Sequence, residues 1–249
     1  MKLRIDVKNI LNMARGRTKT MLFIGHISLA FLIAYFISTR FQGIKRTVPI
    51  ALVMFLSILP DIDIIFRLAG IELGHRTITH SIIIWLIIGG ITVSFFKIKY
   101  QKGSEAAVYL VAYLSHLIIG DILVGPINIL FPIGDFMINS QIEGVHYFLL
   151  ETLVFTLMST VVLTNYYFFK KKNKDTFLFR YHNKIDKLLY PVLIVALITS
   201  FFYVLAKFEL SLFEASIVAP LHIAAVCVII LMWRVSKNTK TQRQLVFTK

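Results

Sequence analysis

The side chains able to do chemistry are histidines and aspartates that break into apolar runs. They are His26, then Asp61 and Asp63, then His75, Arg76, Thr79 and His80, then His116 and Asp121. Imidazole and carboxylate are ligands for divalent cations, and zinc is the usual ion for a mixed His/Asp set. The single Cys227 excludes a disulfide and a thiolate metal site, so a metal here must use His and carboxylate. Residues five apart on a regular helix differ by about 140°, so His116 and Asp121 cannot share an ion from an unbroken helix. Gly120 lies between them and Gly125-Pro126 follows, which predicts a bulge or unwound turn at that point. Asp61 and Asp63, about 200° apart on a helix, are read as an irregular turn after Pro60. His75 falls in a loop after Gly74, and His80 in the first turn of the next helix, with Thr77 placed to cap it. Arg76 suits an anionic group such as a phosphate, or a neighbouring carboxylate.

The elements that must position these groups follow from composition. Across 249 residues the chain is 57% apolar and only 16% charged, and its mean hydropathy is +0.75. A soluble domain, a disordered chain and a fibre are all excluded. Runs over 21–39, 77–96, 147–169, 188–206 and 215–233 are apolar enough to cross a bilayer, and 47–60 and 106–131 are read as two further, interrupted helices. The expectation is therefore an all-α, multi-pass membrane bundle of about seven spans with a His/Asp metal site at one face. Residues 1–20 read as a basic amphipathic arm. Residues 21–249 read as a single transmembrane domain, with a motif-bearing core over 21–135 and additional spans over 147–233. No cleavage pattern follows the first run, which argues against a signal peptide.

A net charge of +14 speaks of membrane sidedness before nucleic acid, which is not an expected partner. Lys and Arg concentrate at 40–46, 97–102, 170–187 and 234–249, which favours the cytoplasm for that face, although the charges of the N-terminal arm argue the other way. In an up-and-down path the start of the first span, the end of the second, the start of the third and the later part of the fourth share one face. Ionisable groups within a membrane cost roughly 2.5–3.5 kcal/mol each on insertion scales, so they converge on one another or on a wet cavity. Convergence on a shared cation is the main expectation. His26, Asp61, His80, His116 and Asp121 are the foremost ligands. Asp63 and His75 complete a second metal or orient the first ligands, and an Asp left off the metal serves as general base.

Four segments resemble the motifs of the YdjM-type inner-membrane, metal-dependent hydrolase family. They are Gly25-His26-Ile27-Ser28, Leu59-Pro60-Asp61-Ile62-Asp63, Gly74-His75-Arg76-Thr77-Ile78-Thr79-His80-Ser81, and Tyr113 to Leu123 with Ser115-His116 and Gly120-Asp121 inside it. The chain departs from the pattern at Thr77, where Gly is common, and at Val124-Gly125-Pro126, where Thr-Pro usually follows directly. The resemblance implies a distant similarity to the zinc phospholipase C and P1 nuclease superfamily and hence phosphoester hydrolysis. On that reading Asp63, His75 and Arg76 carry catalysis, zinc is the cofactor, and the substrate is a small or lipid-linked phosphoester reached among membrane lipids.

Two other classes compete. A proton- or ion-coupled transporter would use the same cluster, but such sites sit at the midplane between inverted repeats, and no repeat is evident. A non-catalytic scaffold would use the cluster as hydrogen-bonded glue between helices. Glu143, His146 and Glu151 read equally well as helper groups or as interfacial and buried residues. His182 and His222 are assigned no role, and the basic loop 170–187 reads as a sidedness signal touching anionic lipid.

Overall fold

The computed structural model describes residues 23–40, 50–61, 79–100, 106–121, 127–134, 136–138, 145–172, 184–207 and 212–247. Among these there are seven α-helices: α1 (Phe23–Arg40), α2 (Ile50–Ile58), α3 (Ile82–Tyr100), α4 (Ala106–Ser115), α5 (Val145–Lys172), α6 (Lys184–Lys207) and α7 (Leu212–Phe247). A 3-10 turn, Leu59–Asp61, ends α2 at Pro60, and a π turn, His116–Asp121, ends α4. Two short strands, β1 (Ile127–Asn128) and β2 (Met137–Ile138), pair antiparallel with Ile127 opposite Ile138 and Asn128 opposite Met137.

The helical class is as expected, but the expectation of about seven spans is corrected. Three described helices are long and apolar enough to cross a membrane: Leu149–Phe168, Ile185–Leu205 and Leu212–Lys237. The apolar stretches Phe23–Ile37, Ile50–Asp61 and Ile82–Phe95 are shorter. The reason is length: at 1.5 Å per residue, the ten residues of α4 reach only about half of a hydrocarbon core of about 30 Å. The fourth run does not continue as a helix to 131. Gly125-Pro126 precedes β1, and a proline has no N–H to donate to a helical turn. Helix α3 begins five residues later than the apolar run suggested, because Ser81 starts it: the Ile83 N–H donates to Ser81 Oγ at 3.1 Å, an N-cap arrangement. Thr77 and the arm 1–20 lie outside the described residues.

The core has two parts. Helices α1, α2, α5, α6 and α7 bury Phe31, Met54, Met158, Leu193 and Ile229 against one another. The second cluster is mostly small and β-branched side chains, Ala30, Ala34, Val53, Val108 and Ala112, with Tyr109 beside them. Their spacing explains the site. Residues four apart share a helix face, so 26, 30 and 34 form one stripe on α1, 53 and 57 one on α2 that points on to 61, and 108, 112 and 116 one running off α4. Small side chains let helix backbones approach closely. The three stripes therefore form a tight seam whose end carries His26, Asp61 and His116.

One long-range bond holds α2 in that seam. The Ala51 N–H donates to Asp186 Oδ1 at 2.8 Å, with Asp186 fully buried at the start of α6. The first turn of an α-helix has N–H groups with no intrahelical partner, and a carboxylate there also meets the positive end of the helix dipole. Asp186 thus caps, from 135 positions away, the helix whose other end delivers Asp61.

Candidate metal centre

His26, Asp61, His80 and His116 meet in one buried cluster, each at 2% exposure or less. Each arrives from a different element: the first turn of α1, the turn closing α2, the turn before α3, and the π turn after α4. His80 Nε2 lies 3.4 Å from Asp61 Oδ1, His116 Nε2 lies 3.7 Å from the same oxygen, and the two Nε2 atoms are 3.2 Å apart. His26 Nε2 lies 3.9 Å from Asp61 Oδ2. The rings of His26 and His116 stack with centroids 3.9 Å apart.

The chemistry of these contacts is set by the far nitrogens of the rings. His116 Nδ1 sits 2.6 Å from the Ser57 carbonyl. A carbonyl only accepts, so Nδ1 carries the proton and Nε2 of the neutral ring presents a lone pair to the cluster. A backbone carbonyl in this position is a common way to fix the tautomer and orientation of a metal-ligating histidine. His80 Nδ1 is paired with Thr79 Oγ1 at 2.9 Å, and the Tyr113 hydroxyl donates to the Thr79 carbonyl at 2.6 Å. On the other side of His80, the Ser81 hydroxyl donates to the Phe131 carbonyl, and the Ile82 N–H donates to the Ile129 carbonyl at 2.9 Å. The backbone carrying His80 is thereby tied on one side to α4 and on the other to the β-hairpin.

A cation fits this donor set. With zinc–nitrogen and zinc–oxygen bonds of about 2.0–2.1 Å in a tetrahedron, ligand atoms on one ion stand about 3.3 Å apart. The three edges among His80 Nε2, His116 Nε2 and Asp61 Oδ1 are 3.2, 3.4 and 3.7 Å. Ligand atoms of His26, Asp61 and His116 also lie within 4.8 Å of one another. A divalent ion among these atoms would take the imidazole lone pairs and the carboxylate oxygen as ligands in place of their contacts with one another.

The remaining expected residues divide into two groups. Asp63, His75 and Arg76 lie outside the described residues, as do Glu143 and His182. Asp121 closes the π turn that His116 opens, so the two positions fall on a wider turn than the regular helix that would hold them apart. Glu151 is fully buried on α5, the helix that packs along α1. His222 is buried in α7, with Nδ1 2.9 Å from the Val218 carbonyl one turn earlier and its ring 5.3 Å from that of Phe201. Sequence reasoning did not find Ser57, because a backbone carbonyl can belong to any residue. It also gave Tyr113 no role, although that tyrosine stands three residues before His116, in the last turn of α4.

Residues 21–210, most of the chain, match the sequence family described as YdjM inner membrane protein. The chain belongs to this family. It is accordingly a membrane protein, in keeping with the three helices capable of spanning a bilayer. The match runs past the motif-bearing core into α6, so α5 and α6 are part of the YdjM fold, although the motif resemblance alone stops near residue 135. No curated protein and no solved structure matches the chain.

Proposed function

We propose that this YdjM-family protein is a membrane-embedded, metal-dependent hydrolase acting on a phosphoester, with a lipid or lipid-linked phosphate as the preferred substrate. The observation that carries the reading is the triangle of His80 Nε2, His116 Nε2 and Asp61 Oδ1, whose edges of 3.2–3.7 Å suit ligands of one small divalent ion. His80, His116 and Asp61 would hold it, with His26 beside them and Asp121 as a further ligand. When bound, such an ion supplies a nucleophile from water near neutral pH and polarises the scissile phosphoryl oxygen. Zinc is the ion that best suits neutral imidazole together with one carboxylate.

The chain's own groups do the rest. The Ser57 carbonyl holds the His116 proton on Nδ1, and Thr79 steadies the His80 ring. Asp63 or His75, where not ligating, takes the proton from water as general base. Arg76 binds a non-bridging phosphate oxygen pair through its guanidinium. Burial of the cluster excludes bulk water, which strengthens each of these interactions.

The reading is tested with detergent-purified protein and a chromogenic phosphodiester. Hydrolysis that stops with chelator, returns with zinc and is absent from His116→Ala is expected. Zinc uptake without hydrolysis of any phosphoester, together with a zinc-dependent ion flux in vesicles, would replace the enzyme with a transporter.

A further inference from the structure

The β-hairpin beside His80 has a split character. Its foot is inside the protein: Ile127 is 1% exposed and Asn128 is 8% exposed. Its tip is apolar and open, with Leu130 at 40%, Ile133 at 82% and Phe136 at 56%, and with Pro132 exposed between them. The tip is built by local backbone bonds, Ile129 N–H to the Phe136 carbonyl at 3.2 Å and Ile133 N–H to the Leu130 carbonyl at 2.9 Å. The exposed leucines and isoleucines of α3, α5, α6 and α7 are helical residues that lipid can cover. The hairpin is not a helix, and that difference decides where it can sit.

The turn joining the strands has backbone N–H and C=O groups outside any helical ladder, which hydrocarbon cannot satisfy. Its tip side chains, in turn, are apolar groups that water covers only at a cost. Both demands are met at the boundary of headgroups and acyl chains, with the backbone among hydrated headgroups and the side chains dipping inward. The hairpin is anchored there next to the metal ligands: Phe131 and Ile129 accept hydrogen bonds from Ser81 and Ile82, the two residues that follow His80. The base of the apolar tip is therefore fixed to the backbone that follows His80.

We propose that Leu130, Pro132, Ile133 and Phe136 form a lip seated in the lipid interface at the mouth of the His/Asp site, which delivers bilayer-borne phosphoesters to it. The substrate would carry an acyl or prenyl chain that runs along this lip while its phosphate reaches the cluster. The assignment of substrate rests on the hydrolase reading; the seat of the lip in the membrane does not.

Two measurements separate these claims. Ile133→Cys, in a Cys227→Ala chain reconstituted into vesicles, is labelled with an environment-sensitive fluorophore and challenged with lipids carrying a quencher at a shallow or a deep position. Blue-shifted emission with stronger shallow quenching is expected; emission like that of the label in water overturns the lip. Ile133→Asn combined with Phe136→Asn is then compared with the wild type on a phospholipid in vesicles and on a water-soluble phosphodiester, with metal content measured alongside. A fall of about tenfold or more in kcat/KM on the vesicle substrate alone, at unchanged metal content, is expected. An equal fall on both substrates, or none on the lipid, overturns the delivery role. A shallow-quenched label in a chain that hydrolyses neither substrate overturns the hydrolase reading and its substrate while the membrane seat of the hairpin stands.

Discussion

Replacing Asp186 by Ala tests whether a residue at the far end of the bundle holds the metal cluster together. Its carboxylate receives the Ala51 N–H at 2.8 Å in a fully buried setting. A hydrogen bond to a charged group contributes about 1.5–3 kcal/mol, and loss of a helix N-cap costs about 0.5–2 kcal/mol. These overlap, since they describe one bond, so the expected loss is about 2–3 kcal/mol. For a chain of this size that corresponds to a fall in Tm of roughly 4–12 °C. Asp186→Asn keeps an oxygen acceptor but exchanges the charge for an amide NH2, so it should lose less than half of what Asp186→Ala loses. Because α2 carries Ser57 and Asp61 toward its other end, Asp186→Ala should also weaken zinc binding, whereas Asp186→Asn should leave it close to wild type. Thermal unfolding in detergent followed by near-UV circular dichroism, with zinc titrations on the same samples, reads both effects. An Asp186→Ala protein that melts within a degree or two of wild type would refute the view that this cap holds α2.

Two further outcomes follow from packing. Ala112 is fully buried in the seam four residues before His116, so Ala112→Leu should wedge α4 from α1 and α2, cost about 1–3 kcal/mol and lower metal content; a variant with normal metal content would contradict the close-approach argument. Gly89 and Gly90 should differ on leucine substitution: Gly89 is buried, and a Cβ there would stand 2.9 Å from Leu110 Cδ2, whose tip must move before the rest of the new side chain finds room, whereas nothing lies within 4 Å of one at the exposed Gly90. Gly89→Leu should therefore lower Tm while Gly90→Leu leaves it unchanged or raises it, helix propensity favouring Leu by about 0.8 kcal/mol, and equal Tm values for the two would sink the assigned α3–α4 contact.

The convergence of His26, Asp61, His80 and His116 was legible because ionisable residues in apolar runs have few physical options. The irregular turn at 116–121 was legible from the five-residue spacing with Gly120 inside it. The number of spans was not, since apolar composition is shared by helices that cross a bilayer and by short ones such as α2 and α4 that are braced by neighbours. The seam was hidden for a related reason: alanine and valine against leucine and phenylalanine make little polarity contrast, so only the four-residue recurrence of small residues marks it. The hairpin is hidden in the sequence because Ile127 to Phe131 continues the apolar run 106–131 without a polar alternation to indicate strands. The capping of α2 by Asp186 could not be seen, since nothing local links positions 51 and 186.

The most direct test is elemental analysis of the detergent-purified chain, stripped with chelator and resupplied with zinc, beside a His80→Ala, His116→Ala double variant. Wild type is expected to retain about one equivalent or more of zinc after gel filtration, and the double variant essentially none while keeping its helical circular dichroism. Wild-type protein that takes up no divalent metal, or a double variant that binds it equally well, would contradict the claim that these imidazoles and Asp61 form a metal centre.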